Sequence, residues 1–350
     1  MRLRPSKTLI FALTGLVIFL VYFMLVNPLD VLNHIRRLNL AVYALAVAID
    51  YLGLLAFGAS WYILLRGVDV DVGLRDVIGA TLFSLFMLAI FPIPMGSELI
   101  RMHYIKDKKN SSSGKAVATV LVHRIMYNLA FMLMITLAVF IVKVVYGYKL
   151  PVQSRILLLL MGFAGCCIAV FAFALNANTL KKIYNRYSDR IQAYINKYLM
   201  DYAKALNLND INTVLEEIEA TMRELQEKKL HVASAFAMIA FHWTSGAITA
   251  YLVARALNFY ISFWLIVALY AVVEFIQEIN IVIPGGVGII ESSLTMVFIA
   301  VGVPLPIAAA ITILTRLATY WLEKLLCGLV SVYFGFRTLD LSGLGKSLEE

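Results

Sequence analysis

Charge is scarce in this sequence. Asp, Glu, Lys and Arg make up 15% of its 350 residues while 61% are hydrophobic; a soluble domain carries about 25% charged residues, so a soluble fold is excluded. Cysteine is scarcer still. Cys166, Cys167 and Cys327 each sit inside an apolar run, which excludes a disulfide framework and leaves each thiol to act as a small hydrophobe. Five histidines are scattered along the chain, so no metal cluster is indicated. There is also no Gly-rich phosphate loop ending in lysine, no HExxH helix, no paired-aspartate metal site and no nucleophile-base pair. Those gaps remove support for an ATP-driven pump and for the common intramembrane hydrolases and phosphotransferases. The expectation is of a protein that is not an enzyme, has no catalytic residues and needs no metal or cofactor.

What is abundant is apolar sequence in runs of about twenty residues, the length a helix needs to cross a bilayer. Helical apolar runs fall at 8-26, 39-64, 76-91, 115-145, 154-176, 231-256, 262-283, 286-302 and 306-336. The first comes after MRLRPSK but is long for a signal peptide and lacks a small-residue cleavage pattern, so it reads as an anchor that stays. If 76-106 crossed the bilayer, the basic cluster RMHYIKDKKNSSSGK would face away from the basic loop at Arg66 to Arg75. Lysine and arginine collect on the cytoplasmic side, so residues 76-106 are expected to dip in and return as a re-entrant hairpin. With both termini cytoplasmic, only Arg36 and Arg37 remain on the wrong side. The segment 178-229 alternates aromatic and aliphatic residues with Lys and Arg at helical spacing, as expected of an amphipathic helix lying on an anionic lipid surface.

Sliding the sequence against itself by 192 residues brings Pro92 onto Pro284, Gly96 onto Gly288 and Arg124 onto Arg316 without a gap. The repeating unit is span, broken hairpin, span, and an odd number of spans between corresponding points inverts the second copy. The fold class expected is therefore an all-α polytopic membrane protein with about six full spans plus two re-entrant helical hairpins in an inverted repeat, the architecture of secondary transporters. The chain divides into an anchor (1-38), repeat 1 (39-145, hairpin 76-106), a connecting span with cytoplasmic amphipathic helices (146-230), repeat 2 (231-336, hairpin 267-302) and a tail (337-350).

Irregular backbone at membrane depth must be buried in protein or line a wet cavity, so the breaks FPIPMGSELIR and PGGVGIIE are expected inside, with new helices starting near Ser97 and Gly288. A helix N-terminus attracts phosphate. The candidate substrate-binding residues are Gly96, Glu98, Arg101 and Arg124 in the first half, and Glu274, Glu278, Gly285, Gly286, Gly288, Glu291 and Arg316 in the second. Arg124 and Arg316 either grip a lipid phosphate as bidentate forks or pair with Glu98 and Glu291 to lock the fold; the two readings are compatible. Glu274 and Glu278 share a helix face and could take a proton, a cation or a cationic headgroup. Asp50 and His242 coincide under the same shift.

The motifs PGGVGIIE, PIPMGSELIR and TRLATYW resemble the flippase-like family that forms the transmembrane region of lysylphosphatidylglycerol synthases, over about 8-336. Pro284, Gly285, Gly286, Gly288 and Glu291 match the family motif, as do Gly96, Glu98 and Arg101; His123 stands where an acid commonly precedes the arginine. The resemblance implies movement of a phospholipid or polyprenyl-phosphate lipid between leaflets of the cell membrane. The sequence ends fourteen residues after the last run, so the aminoacyl-transfer domain of the large synthases is not expected here. The alternatives are an intramembrane enzyme, or an accessory subunit of lipid modification or lipid-linked glycan assembly. A homo-oligomer is admitted, and no nucleic-acid partner is expected.

Overall fold

The computed structural model describes residues 7-90, 96-106, 108, 110-145, 147, 186, 211-279 and 283-338. These form α1 (Lys7–Leu25), α2 (Pro28–Ile35), α3 (Leu40–Gly67), α4 (Leu74–Ile90), α5 (Gly96–Lys106), α6 (Ser113–Phe140) and α7 (Ile211–Glu227), then α8 (Lys229–Ala256), α9 (Phe263–Ile279), α10 (Ile289–Ala300), α11 (Leu305–Arg316) and α12 (Glu323–Thr338). Among the described residues there is no strand, and the protein is an all-α polytopic membrane protein. Among the described residues four helical stretches are long and apolar enough to cross a bilayer, Leu40–Gly67, Ser113–Val145, Lys229–Ala256 and Leu305–Tyr333, and the bent pair Leu13–Leu25 with Pro28–Ile35 makes a fifth if it is one span. The expected span at 154-176, the segment 178-210 and the break at 91-95 lie outside the described residues.

The helices start where local chemistry places a cap. Asn39 Oδ1 accepts from the amides of Ala41 and Val42, and Ser112 Oγ from that of Lys115, meeting donors that the first turn leaves open. Pro28–Ile35 is helical and bent 78° from α1. Asn27 adopts a left-handed conformation and Pro28 restarts the helix, while the Asn27 side-chain amide donates to Asp30 at 2.7 Å.

The two halves carry the same series of helices. α3 and α8 are both 28 residues long, α4 and α9 both 17, and α5 and α10 are 11 and 12. α3 and α8 pack antiparallel along their length: the Asn39 amide donates to the Ala256 carbonyl at 2.9 Å, the Thr249 hydroxyl to the Ala46 carbonyl at 3.1 Å, and Gly67 abuts His231 at the other end. Midway along, Gly53 lies against Ser245, two residues related by the 192-residue shift. A Cβ on Gly53 would overlap Ser245 Oγ, so the absence of a side chain is what allows the crossing. Antiparallel packing of corresponding helices, with corresponding residues at the crossing, is the geometry a two-fold axis in the membrane plane requires.

The remaining helices interlock across that axis. α4 of the first half packs on α12 of the second, and α9 of the second packs on α6 of the first. Of the short helices, α2 lies on α11 and α7 on α6. The two halves therefore contribute to one shared apolar core.

The long helices also fix two ends of the molecule. Ser113, Val68, Glu217 and His231 gather at one, through Lys115 Nζ donating to the Val68 carbonyl and the Gly114 amide to Glu217. Asn39, Ala256 and the exposed Tyr260 gather at the other. A helix of 28 residues spans about 42 Å, enough to separate these ends by a bilayer. Single cysteines at Ser113 and Tyr260 in a thiol-free background are therefore expected to react with an impermeant maleimide from opposite faces of sealed vesicles. Labelling from one face would refute the crossing.

Candidate functional site

The first hairpin places Glu98 in the opening turn of α5, where the helix dipole favours a carboxylate. Glu98 Oε2 accepts from Ser97 Oγ at 2.8 Å, and its Oε1 lies 3.7 Å from Arg101 Nη2 and 3.6 Å from Arg124 Nη1. Arg101 is fully buried between the rings of Phe57 and Trp61, 5.7 and 5.3 Å from their centroids, and its Nε has no hydrogen-bond partner. Its Nη1 meets His123 Nδ1 at 3.1 Å. A guanidinium only donates, so Nδ1 accepts and the imidazole is neutral. Ser60 Oγ donates to the Phe57 carbonyl and receives the His123 Nε2 proton at 2.8 Å. The acid absent before Arg124 is thus replaced by an uncharged relay from Arg101 through His123 to Ser60. Two guanidinium groups share one carboxylate.

Arg124 differs from Arg101 in access. Its side chain is 44% exposed, resting over Tyr127 at 5.3 Å from the ring centroid.

The second hairpin balances its charge. Arg316 Nε donates to Glu291 Oε1 at 2.8 Å, Nη2 to the Gly285 carbonyl at 2.7 Å and Nη1 to Gln277 at 3.4 Å, with the Tyr320 ring 4.3 Å away. Here the fork is spent on the fold: it ties the broken backbone to α9 and α10. The same Glu291 takes the Gly288 amide proton through Oε2 at 2.6 Å, so the helix N-terminus expected to receive phosphate is occupied by the chain's own carboxylate. Gly285 and Gly288 have φ of 64° and 84°, conformations that disfavour any other residue. The Cβ direction at Gly288 runs into the α1 backbone, 2.8 Å from the Gly15 carbonyl oxygen. Gly288 is a packing position, closed by α1.

Between the hairpins, near the crossing of α3 and α8, lies a third set of polar groups. Asp50 has Glu323, Lys324 and Glu274 as its charged neighbours. Lys324 Nζ bonds Glu323 at 2.7 Å, Tyr270 lies beside Glu274, and His242 Nδ1 meets the Gly53 carbonyl at 3.1 Å.

Of the residues singled out from sequence, Glu98, Arg101 and Arg124 come together at the first break, beside Gly96 at the start of α5. Glu291, Arg316, Gly285 and Gly288 come together at the second, where Gly286 is buried in the turn. Glu274 is apart from both, in the central set, and Glu278 is placed on the last turn of α9 by its backbone alone. His123, Ser60, Gln277 and the partnership of Asp50 with Glu323 and Lys324 were missed as site members. The alignment of Asp50 with His242 and the candidate Glu274 were the sequence signals of the central set. The span expected as one helix over 306-336 contains a π-helical stretch, Leu317–Leu322, directly after Arg316. An extra residue per turn rotates the rest of the helix by about 100°, and such a shift is invisible in apolar periodicity.

The family described as the transmembrane region of lysylphosphatidylglycerol synthase matches residues 9–327. A UPF0104 membrane protein of Pyrococcus horikoshii is 26% identical over 304 residues, covering 84% of this chain and 87% of its own. UPF0104 membrane proteins of Methanothermobacter thermautotrophicus and Methanocaldococcus jannaschii are each 23% identical, over 94% and 97% of this chain and 96% and 98% of theirs. The family match takes in both hairpins and all three polar sets, and the chain belongs to the lysylphosphatidylglycerol synthase transmembrane-region family.

Proposed function

We propose that this protein is a lipid transporter that moves a phosphate-containing lipid, of phospholipid or polyprenyl-phosphate type, between the leaflets of the cell membrane. The observation that carries the reading is the pair of guanidinium groups, Arg101 and Arg124, gathered on Glu98 at the first hairpin. Arg101 has one carboxylate, Glu98, and a second guanidinium, Arg124, as its charged neighbours, and His123 adds none. Charge at membrane depth is costly and usually functional. A phosphate monoester or diester is an anion that a pair of guanidinium groups can receive, and Arg124 is the accessible one of the two.

The second hairpin supports the same reading by contrast, since its arginine is neutralised internally in this conformation. Two like halves that take turns being open and locked are what alternating access across an inverted repeat requires. The basic residues Arg66, Arg75, Lys115, Lys228 and Lys229 cluster at the Ser113 end, which supports a cytoplasmic location for that end through the positive-inside bias. The protein acts without chemistry on the lipid.

Reconstitution tests this directly. Vesicles carrying the purified protein and a fluorescent phospholipid or polyprenyl phosphate are expected to lose label from the outer leaflet faster than protein-free vesicles. A labelled neutral diacylglycerol analogue should show no protein-dependent gain. Equal acceleration of the neutral lipid would exclude phosphate recognition.

A further inference from the structure

We propose that Asp50 is a proton-binding site at the crossing of the two halves, and that its loading is coupled to lipid movement; the coupling rests on the transport reading, the proton site does not. Asp50 is 6% exposed and its Oδ2 has no hydrogen-bond partner. An ionised carboxylate so placed is expensive unless paired, and binding a proton removes the charge. The reaction is simple: the carboxylate takes H⁺ to become a neutral carboxylic acid, with no other bond made or broken.

The groups facing Asp50 leave it without a counter-ion of its own. From the second half come Glu323, Lys324 and Glu274, three charged groups on two helices. The only ammonium among them is held by Glu323 at 2.7 Å. From α9 come Tyr270 and Glu274; from α8, His242 is turned to the Gly53 carbonyl; from α3 itself, the Tyr51 hydroxyl donates to the Leu322 carbonyl at 3.1 Å. α4 brings no titratable residue between Val77 and Ile90; on α6, Tyr127 and His123 both meet the Phe57 ring, at 5.6 and 4.7 Å between centroids, and Tyr127 also faces His242. Among the described residues no three acidic, thiol or imidazole groups converge to hold a metal ion, which favours a proton as the ligand.

The position of this group explains why its charge would matter. Asp50 and His242 each precede the crossing residues Gly53 and Ser245 by three, so both sit beside the axis about which the halves exchange conformations. Every charged neighbour of Asp50 belongs to the opposite half. Ionised, Asp50 is repelled by Glu323 and Glu274 and drawn only to Lys324, whose ammonium Glu323 already holds, so its charge disfavours the contact; protonated, it allows the packing described here. A ligand with different affinity for two states shifts their populations, and the proton would be such a ligand.

Dicyclohexylcarbodiimide, which adds to protonated carboxyls in apolar surroundings, is the probe. With the purified full chain, Asp50 should be modified at acid pH, as read by peptide mass spectrometry, and modification should be lost as pH rises; Asp50→Asn should remove it. In vesicles, an imposed pH gradient should accelerate lipid movement by the wild type, and Asp50→Asn should lose that acceleration. Failure to modify Asp50 at any pH, modification indifferent to pH, or modification of Glu274 or Glu323 instead would overturn the proton site. If Asp50 is modified in a pH-sensitive way but the gradient has no effect, or a sodium gradient acts in its place, the coupling alone is overturned. If modification is pH-sensitive and no lipid moves under any condition, the transport reading is overturned and the proton site stands.

Discussion

Replacing Glu291 by alanine is expected to lower stability by about 3–5 kcal/mol, because it leaves a buried guanidinium without its carboxylate. Arg316 is only 6% exposed at its side chain and meets Glu291 at 2.8 Å, and the same carboxylate satisfies the Gly288 amide. One substitution thus strips both a counter-ion and a helix cap from the second hairpin. Thermal melting in detergent measures the loss. Glu291→Gln should fall between wild type and alanine, since its amide oxygen still accepts from Gly288 but cannot balance the charge. The pair Glu291→Gln with Arg316→Gln should regain most of the stability, yet move little lipid, because the Gly285 carbonyl loses the donor that holds the break in place. Melting of Glu291→Ala at the wild-type temperature would refute the lock.

Arg124→Lys is expected to do the opposite: a fold within about 0.5 kcal/mol of wild type, as for most exposed positions, and lipid movement slowed about ten- to a hundredfold. The side chain is 44% exposed and stands 3.6 Å from Glu98, too open and too long a contact to contribute much to stability. Its value lies in the planar fork. Lysine keeps the charge but cannot make two parallel hydrogen bonds to a phosphate, and one charge-assisted bond is worth about 1.5–3 kcal/mol. Melting and lipid-movement assays on the same preparations separate the two effects. The double variant Glu98→Gln with Arg124→Gln should also be folded and slow. Wild-type lipid movement by it would assign Arg124 a structural role only.

The sequence alone determined the class and the outline of the site. Runs of apolar residues have one stable form in a bilayer, and proline with glycine inside such runs marks a break wherever it occurs, so the helices, the hairpins and their 192-residue correspondence were legible from composition and spacing. The pairing of Glu98 with Arg124 and of Glu291 with Arg316 was legible too, because unpaired charge at that depth leaves few alternatives. What only the tertiary structure decided was which charges are spent on the fold and which remain open. Glu98 and Glu291 miss correspondence by one residue, about 100° around a helix. The first half meets that offset by recruiting Arg101, His123 and Ser60, the second by engaging Gln277 and the backbone of Gly285. Asp50 and Glu323 are brought together from positions far apart in the chain by the rotation of their helices and the π-helical stretch at Leu317–Leu322. Periodicity reports that a face is apolar; the angle at which two helices meet, and so which polar side chains converge, depends on close packing at single residues such as Gly53 against Ser245.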